Sequence, residues 1–447
     1  MRGVVSIRRL GSGGFGNVDL VQDATGRQFA RKTFSVNQPL SAELIDNTRR
    51  RFIREIRIQG GLNHRNIVPV LESDLTGANP SYLMPLASGS LSDEIERDRT
   101  LGGKWRSAVM DIIAGLDELH SLGMFHRDLK PQNVLQFEDP HTQEPFYAIS
   151  DFGFISIKDS RVSELTRTGM AKGPDFYTAP EIIADLRNAS TRSDIYSLGC
   201  IIHDLVGTLH YGGVNRLPCQ EIRERPPFSD ILLGCTRQDP KRRFQTVRSL
   251  ADALLSVDED VGAPTSPQEE HIVAKLAGGD NLELSDLNAI IELCQSPDMV
   301  ARRAIFMKLD EARILHMVAA HPDEAEKIGI AFARWVSSSS FNFDFCDPLA
   351  NRLEGFFQSP SLDLRVDCLL ALLELGTSHN RWYVEHKFFD MCGPALDPVA
   401  ARRLAIEFRA TDEDICEKIM HLERSIRVSR TGLHPALVSV LAAICPV

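Results

Sequence analysis

From Asn17 to Gln22 (NVDLVQ) apolar and polar positions alternate, the period of a half-buried strand, and DATGRQFARK continues as a turn and a second strand. Short runs of this kind, divided by glycine turns, make up the first part of the chain. The pattern then turns helical, beginning with RRFIREIRIQGGLNHRNIV (residues 50–68), an amphipathic helix that carries Glu55 and runs into a turn. At residues 256–270 the text becomes SVDEDVGAPTSPQEE: acidic, proline-bearing and nearly free of large apolar residues, which is linker composition.

Beyond that linker no strand pattern persists. Ser296-Pro297, Asp347-Pro348, Ser359-Pro360 and Asp397-Pro398 each set a capping-type residue before a proline. Each predicts a helix start with proline in the first turn, where its missing N–H costs no helical hydrogen bond. Three of them lead into similar amphipathic stretches, DMVARRAIFMKL, SLDLRVDCLLALLELG and PVAARRLAIEF. EKIGIAFARW and HPALVSVLAAI help to fill a period of roughly 30–38 residues, the range of stacked helical hairpins. These units loosely resemble HEAT-like repeats; an irregular helical bundle fits the same pattern.

At 447 residues the chain has room for two or three domains. Its formal net charge of -11 gives no general attraction for phosphate backbones or anionic membranes, so neither nucleic acid nor a membrane is an expected partner. RSIRVSR (residues 424–430) is a local basic exception. Nine cysteines (Cys200, Cys219, Cys235, Cys294, Cys346, Cys368, Cys392, Cys416 and Cys445) form no CxxC or Cys/His cluster. Each is expected to pack as a small apolar residue in a reducing compartment. MRGVVSIRRLGSGG lacks the apolar core of a secretory signal, and no stretch reaches the ~18 apolar residues of a membrane helix. A cytoplasmic protein is expected, with PALVSVLAAICPV as a packed terminal helix.

Leu10-Gly11-Ser12-Gly13-Gly14-Phe15-Gly16-Asn17-Val18 has GxGxxGxV spacing, and glycines there let the backbone approach phosphates without a Cβ clash. Alone this is weak. A dinucleotide-binding turn would lead into a helix, whereas a strand hairpin follows here. The next strand supplies Lys32 in Phe29-Ala30-Arg31-Lys32, an ammonium for phosphate oxygens, and Glu55 is its candidate carboxylate partner. Further on stand GMFHRDLKPQNVL (residues 123–135), ISDFGF (residues 149–154) and GMAKGPDFYTAPE (residues 169–181). The ordered set is far more specific than any single motif, and residues 4–255 resemble the eukaryotic-type protein kinase family.

The resemblance implies an α+β bilobal kinase fold over residues 1–255, with an N-lobe at 1–85 and a C-lobe at 88–255. A linker at 256–270 and an all-α, HEAT-like or irregular, domain at 271–447 would follow. ATP and Mg²⁺ are implied. Leu10, Gly11, Ser12, Gly13, Gly14, Phe15, Gly16 and Val18 would cover the nucleotide. Ala30, Lys32, the gatekeeper Met84, Leu86, Ala87 and Leu135 would complete its site. Asp128 would orient the substrate hydroxyl and accept its proton, and Lys130 would neutralise charge on the moving phosphoryl group. Lys32 would pair with Glu55 when the helix swings inward, and Asn133 and Asp151 would supply oxygens to Mg²⁺. Phe152 would pack under that helix. Asp194, and an ion pair of Arg243 with Glu181, would be architectural.

Lys130 in DLKPQN is typical of serine/threonine kinases. Pro174 stands where those kinases usually carry a threonine, and Pro174–Glu181 resembles the tyrosine-kinase segment. The catalytic loop weighs more, because Lys130 meets the phosphoryl group itself, so serine and threonine are the expected acceptors. Arg127 before Asp128 implies a switch by phosphate in the segment between Asp151 and Glu181, with Thr166 and Thr168 the best acceptors for autophosphorylation. No clear long helix is evident in HDLVGTLHYGGVNRLPCQEIRERPPFSDILLGC (residues 203–235), which shifts substrate docking toward the C-terminal domain. That domain's histidines are isolated and suggest no metal; it is expected to recognise a protein partner or to regulate the kinase. The alternative is a nucleotide-binding pseudokinase scaffold, against which the intact Lys32, Asp128, Asn133 and Asp151 argue.

Overall fold

The structure is a computed structural model describing residues 3–12, 16–36, 41–140, 142–152, 156–157, 176–207, 222–225, 227–257, 266–278, 282–295 and 299–445. The chain divides into two compact units, Met1–Val247 and Arg248–Val447.

The first unit opens with strands β1 (Val5–Ser12), β2 (Gly16–Gln22) and β3 (Gln28–Phe34), followed by helix α1 (Ala42–Gln59), β4 (Glu72–Asp74) and β5 (Ser81–Pro85). They form an antiparallel sheet in the order β1-β2-β3-β5-β4. Ser41 starts α1 by accepting a hydrogen bond from the Leu44 N–H at 3.3 Å. Phe52 and Ile56, one turn apart, are buried with Phe34, Val68, Tyr82 and Met84, so α1 lies against the β3–β5 face of the sheet. Burial of each such side chain stabilises the lobe by about 1.5–3 kcal/mol.

The remainder of the unit is mainly helical. Ser90 and Asp93 make a reciprocal capping box that opens α2 (Leu91–Arg97). Then come α3 (Trp105–Ser121), α4 (Pro180–Ala184), α5 (Thr191–Val206) and α6 (Phe228–Thr236). Every residue of α5 from Ser193 to Leu205 is buried, which is why its apolar residues encircle it rather than forming a stripe. Short strands β6 (Gly89–Ser90), β7 (Met124–Phe125), β8 (Val134–Glu138), β9 (Pro145–Ile149) and β10 (Ser156–Ile157) build the sheet β6-β8-β9 and the pair β10-β7. β8 and its preceding loop carry the GMFHRDLKPQNVL motif, and β9 runs directly into Asp151.

The second unit is all helical among its described residues. It begins in α7 (Val247–Leu255) and continues through α8 (Pro267–Gly278), α9 (Leu284–Gln295), α10 (Met299–Lys308), α11 (Glu311–Ala320) and α12 (Pro322–Ser338). Next are α13 (Cys346–Phe357), α14 (Leu362–His379), α15 (Trp382–Met391), α16 (Pro398–Ala410), α17 (Asp412–Ser425) and α18 (Pro435–Ile444). α12, α13 and α14 pack around Phe332, Leu349, Phe356 and Leu364, all fully buried. Gly329 permits this approach: a Cβ there would lie 2.7 Å from the Leu364 side chain.

The compact units divide before residue 255, where the sequence reading ended the first domain, because α7 carries a charge buried in the second unit. Asp252 accepts hydrogen bonds from Arg352 Nε at 2.8 Å and from the Glu311 N–H at 3.1 Å. The expected linker is likewise shorter at its end. α8 starts at Pro267 behind a Ser266 cap and buries Glu269 completely, while residues 258–265 lie outside the described residues.

Two of the expected helix starts are displaced. Asp347 lies inside the first turn of α13 and is tied to Arg381 at 2.6 and 2.7 Å instead of capping. α14 is capped by Ser361 rather than Ser359, with Pro360 left outside the helix. Asp397 does cap α16, accepting from the Ala400 N–H at 3.0 Å, and Ser296-Pro297 lies outside the described residues. His321-Pro322 also begins a helix, which histidine as a weak capping type did not announce, while α18 begins at Pro435 as the terminal-helix reading expects.

The expectation of independent thiols is corrected at one pair. Cys416 and Cys445 form a disulfide, because α17 and the end of α18 bring their Cα atoms to 5.4 Å. Cys200, Cys235, Cys294, Cys346, Cys368 and Cys392 are not disulfide-bonded, and Cys219 lies outside the described residues. Among the described residues no helix is long and apolar enough to cross a membrane.

Candidate active site

A cavity of about 920 Å³ in the first unit is roofed by β1 and β2 and closed behind by α1. In register, Gly11 faces Val18 and Ser12 faces Asn17, so the described flanks of the glycine-spaced stretch pair as strands beside the cavity. Leu10, Gly11, Ser12, Gly16, Val18, Ala30, Lys32, Glu55, Met84, Leu86, Ala87, Lys130, Asn133, Leu135 and Asp151 all line it. Gly13, Gly14 and Phe15 lie outside the described residues. Met84 is opposite Ala30 in the β3–β5 pairing, at the back of the cavity, with Leu86 and Ala87 following where β5 ends.

Lys32 is the electrostatic centre. Its Nζ lies 2.8 Å from Glu55 Oε1 and 3.2 Å from Asp151 Oδ1. Burial alone would favour the neutral amine, but the Asp151 and Glu55 carboxylates outweigh it and hold the ammonium well above its ordinary range. The short Lys32–Glu55 contact is the inward arrangement of α1 that the sequence anticipates as one of two states.

The catalytic strip is held from below by α5. Asp194 accepts from the backbone N–H groups of His126 and Arg127, both at 2.9 Å, and pairs with His120 Nε2 at 2.9 Å. Burial would raise its carboxyl, yet the His120 hydrogen bond and the neighbouring positive charge hold it below the ordinary range. This anchor secures Arg127 in the left-handed backbone region, at φ 68°, and Asp151 adopts φ 64°. Such conformations cost of order 1–3 kcal/mol and persist where surrounding contacts over-determine them.

Asp128, buried at the end of that loop, is 3.2 Å from Lys130 Nζ. Asn133 donates its Nδ2 to the Asp128 carbonyl at 2.7 Å and to Asp128 Oδ2 at 3.1 Å. With the amide nitrogen committed there, Asn133 presents its oxygen as the remaining ligand atom. Asn133 and Asp151 together are a small set of hard oxygen donors, of the kind Mg²⁺ shares with substrate phosphates rather than a closed protein cage. No cluster of three or more His, Cys, Asp or Glu able to hold a metal occurs among the described residues. Phe152 is buried with its ring 5.4 Å from that of His126.

Arg243 is fully buried and grips Glu181 through both terminal nitrogens at 2.8 and 2.9 Å, while also donating to the Arg237, Arg192 and Gln238 carbonyls. Pro174, Ser160, Ser163, Thr166 and Thr168 lie outside the described residues, as does most of the stretch between α5 and α6. Arg51 and Tyr82 are among the lining residues that sequence reading missed. Arg51 stands one turn before Glu55 on the same face of α1, so helical periodicity would have found it. Tyr82 sits directly opposite Lys32 in the β3–β5 register, which only the pairing reveals.

Fold and site together define a bilobal protein kinase domain. The family model described as protein kinase domain matches residues 4–261, and the chain belongs to the protein kinase family. It is similar to serine/threonine-protein kinase Pkn1 of Myxococcus xanthus, at 28% identity over 264 residues, which cover 56% of this chain and 37% of the relative. It is also similar to serine/threonine-protein kinase PksC of Streptomyces coelicolor, at 31% over 274 residues, covering 56% of this chain and 48% of that one. Calcium-dependent protein kinase 11 of rice, Oryza sativa subsp. japonica, is 28% identical over 333 residues, covering 68% of this chain and 54% of that protein. The chain thus spans between about a third and about half the length of these relatives.

Proposed function

We propose that the chain transfers the γ-phosphoryl group of ATP to serine and threonine hydroxyls of protein substrates in a Mg²⁺-dependent reaction. The observation that carries this reading is one cavity in which Lys32 pairs with both Glu55 and Asp151 while Lys130 and Asn133 line the same space. Phosphoryl transfer asks for position and charge neutralisation more than covalent help. Lys32, fixed by Glu55, holds the triphosphate oxygens. Asp128, oriented by Asn133, takes the proton of the attacking hydroxyl, and Lys130 meets charge on the transferred group. Asn133 and Asp151 would hold Mg²⁺, which when bound neutralises phosphate charge. The intact Lys32, Asp128, Asn133 and Asp151 favour this reading over a nucleotide-binding scaffold.

The finer features follow the same reading. Arg127 is buried, its Nε has no hydrogen-bond partner among the described residues, and its pKa is pushed down to about 10, first by burial and then against Arg51 and Arg54. A phosphate on Thr166 or Thr168, placed by autophosphorylation, would relieve that crowding through charge-assisted hydrogen bonds. The helical unit is the partner-recognition or regulatory module of a cytoplasmic kinase. Incubation with γ-labelled ATP, Mg²⁺ and a mixed peptide library, followed by phosphoamino acid analysis, tests the reading. Labelled serine and threonine that disappear on chelation of the metal support it; unlabelled peptides, or label on tyrosine alone, refute it.

A further inference from the structure

A second cavity, of about 320 Å³, lies wholly within the helical unit between α9, α10 and α12. Its lining combines three cations, Arg302, Lys327 and Arg334, with an apolar floor of Ile291, Ile330, Ala331 and Trp335. Among the described residues no carboxylate lines it, in a chain where Asp and Glu outnumber Lys and Arg by 61 to 50. Lys327 and Arg334 are two turns apart on α12, so helical geometry sets both on the face that carries Ile330 and Ala331. Lys327 is exposed, and the Arg334 side chain, 77% exposed, approaches Asp367 no closer than 3.9 Å.

We propose that this cavity binds a phosphorylated serine or threonine side chain of a protein segment. A phosphoryl dianion matches three converging cations better than a single carboxylate does, and arginine's planar fork suits its oxygens. The apolar floor takes an aliphatic neighbour of the phosphorylated residue, which inorganic phosphate could not supply. The volume stands at the lower end of ligand pockets, enough for one modified side chain with one neighbour. The choice of phosphoryl over another anion rests on the kinase reading of the first unit, whose product has this chemistry.

The test uses the full chain, without nucleotide, and a fluorescent peptide of alanine and leucine around one phosphothreonine, followed by anisotropy. Unmodified and glutamate-substituted peptides and inorganic phosphate serve as the other arms. The expected result is binding of the phosphopeptide at least tenfold tighter than either control peptide, weakened by added salt. Lys327→Ala with Arg334→Ala should reduce it at least tenfold again while leaving phosphotransfer to a peptide substrate unchanged. Equal binding of the unmodified peptide, or an unaffected double variant, overturns the proposal. Competition by inorganic phosphate as strong as by the phosphopeptide shows a free-phosphate site and overturns the protein-segment assignment. Because no transfer step enters the binding assay, a catalytically silent chain would refute the kinase reading and leave the binding result standing.

Discussion

Lys32 stands between two carboxylates at 2.8 and 3.2 Å, and one side chain therefore serves both the position of α1 and the charge of the nucleotide site. Lys32→Met should lower the transfer rate by about 10²-fold or more, as loss of a preorganised electrostatic group does. Glu55, left buried without its cation, should take up a proton rather than remain charged, so the fold should survive. Initial rates together with circular dichroism check both parts. Arg243 behaves differently, because its ion pair is buried and touches no reacting group. Arg243→Met should cost about 3–5 kcal/mol, read as a lowered unfolding midpoint of the first unit.

Asp194 supplies a pH dependence with a definite sign. Its folded pKa lies below the ordinary 3.8, so its contribution to stability is fully present above that value. The contribution is lost as pH falls through the folded pKa. Asp194→Asn should therefore be less stable at neutral pH, and its stability should change less steeply through the acid range. Unfolding midpoints measured across that range for both proteins decide the matter.

At the scale of elements, helix ends are where sequence and structure part. Asp397-Pro398 opens α16 as its residues announce: the carboxylate keeps the Ala400 N–H at 3.0 Å, with Arg365 no nearer than 3.6 Å. Asp347-Pro348 carries the same local signal, but Arg381, distant in sequence, claims Asp347 with two hydrogen bonds. Ser361 rather than Ser359 caps α14, accepting from Leu364 N–H while donating to Glu326 on α12. Ser361→Ala should thus cost about 1 kcal/mol or somewhat more, since it removes a cap and a bond between helices together. Thermal unfolding of the variant beside the unsubstituted chain checks the assignment.

The catalytic strip was legible because its chemistry is local: HRDLKPQN and the Asp151 turn are short runs whose backbone carries their side chains to one place. The lid and the Lys32–Glu55 pair were legible from register and helix periodicity. Tyr82, the Cys416–Cys445 bridge and the Asp252–Arg352 pair were not, since each joins elements that only tertiary packing brings together.

At the scale of the molecule, the boundary between units follows from one buried charge. Arg352 has no exposed side-chain surface, and Asp252 on α7 is its carboxylate. A fragment beginning at residue 271 should therefore be less stable than one beginning at residue 244 by about 3–5 kcal/mol, the cost of breaking a buried pair. Denaturant unfolding of the two fragments gives the difference directly.

The account stands on Asp128 as the group that prepares a serine or threonine hydroxyl for attack. The most direct measurement is to incubate the purified chain with ATP and Mg²⁺ beside Asp128→Asn and to map phosphorylated residues by mass spectrometry. Phosphoserine or phosphothreonine between Asp151 and Glu181, absent from the variant, is the predicted result. Phosphotyrosine alone, or phosphorylation that Asp128→Asn leaves unchanged, would contradict it.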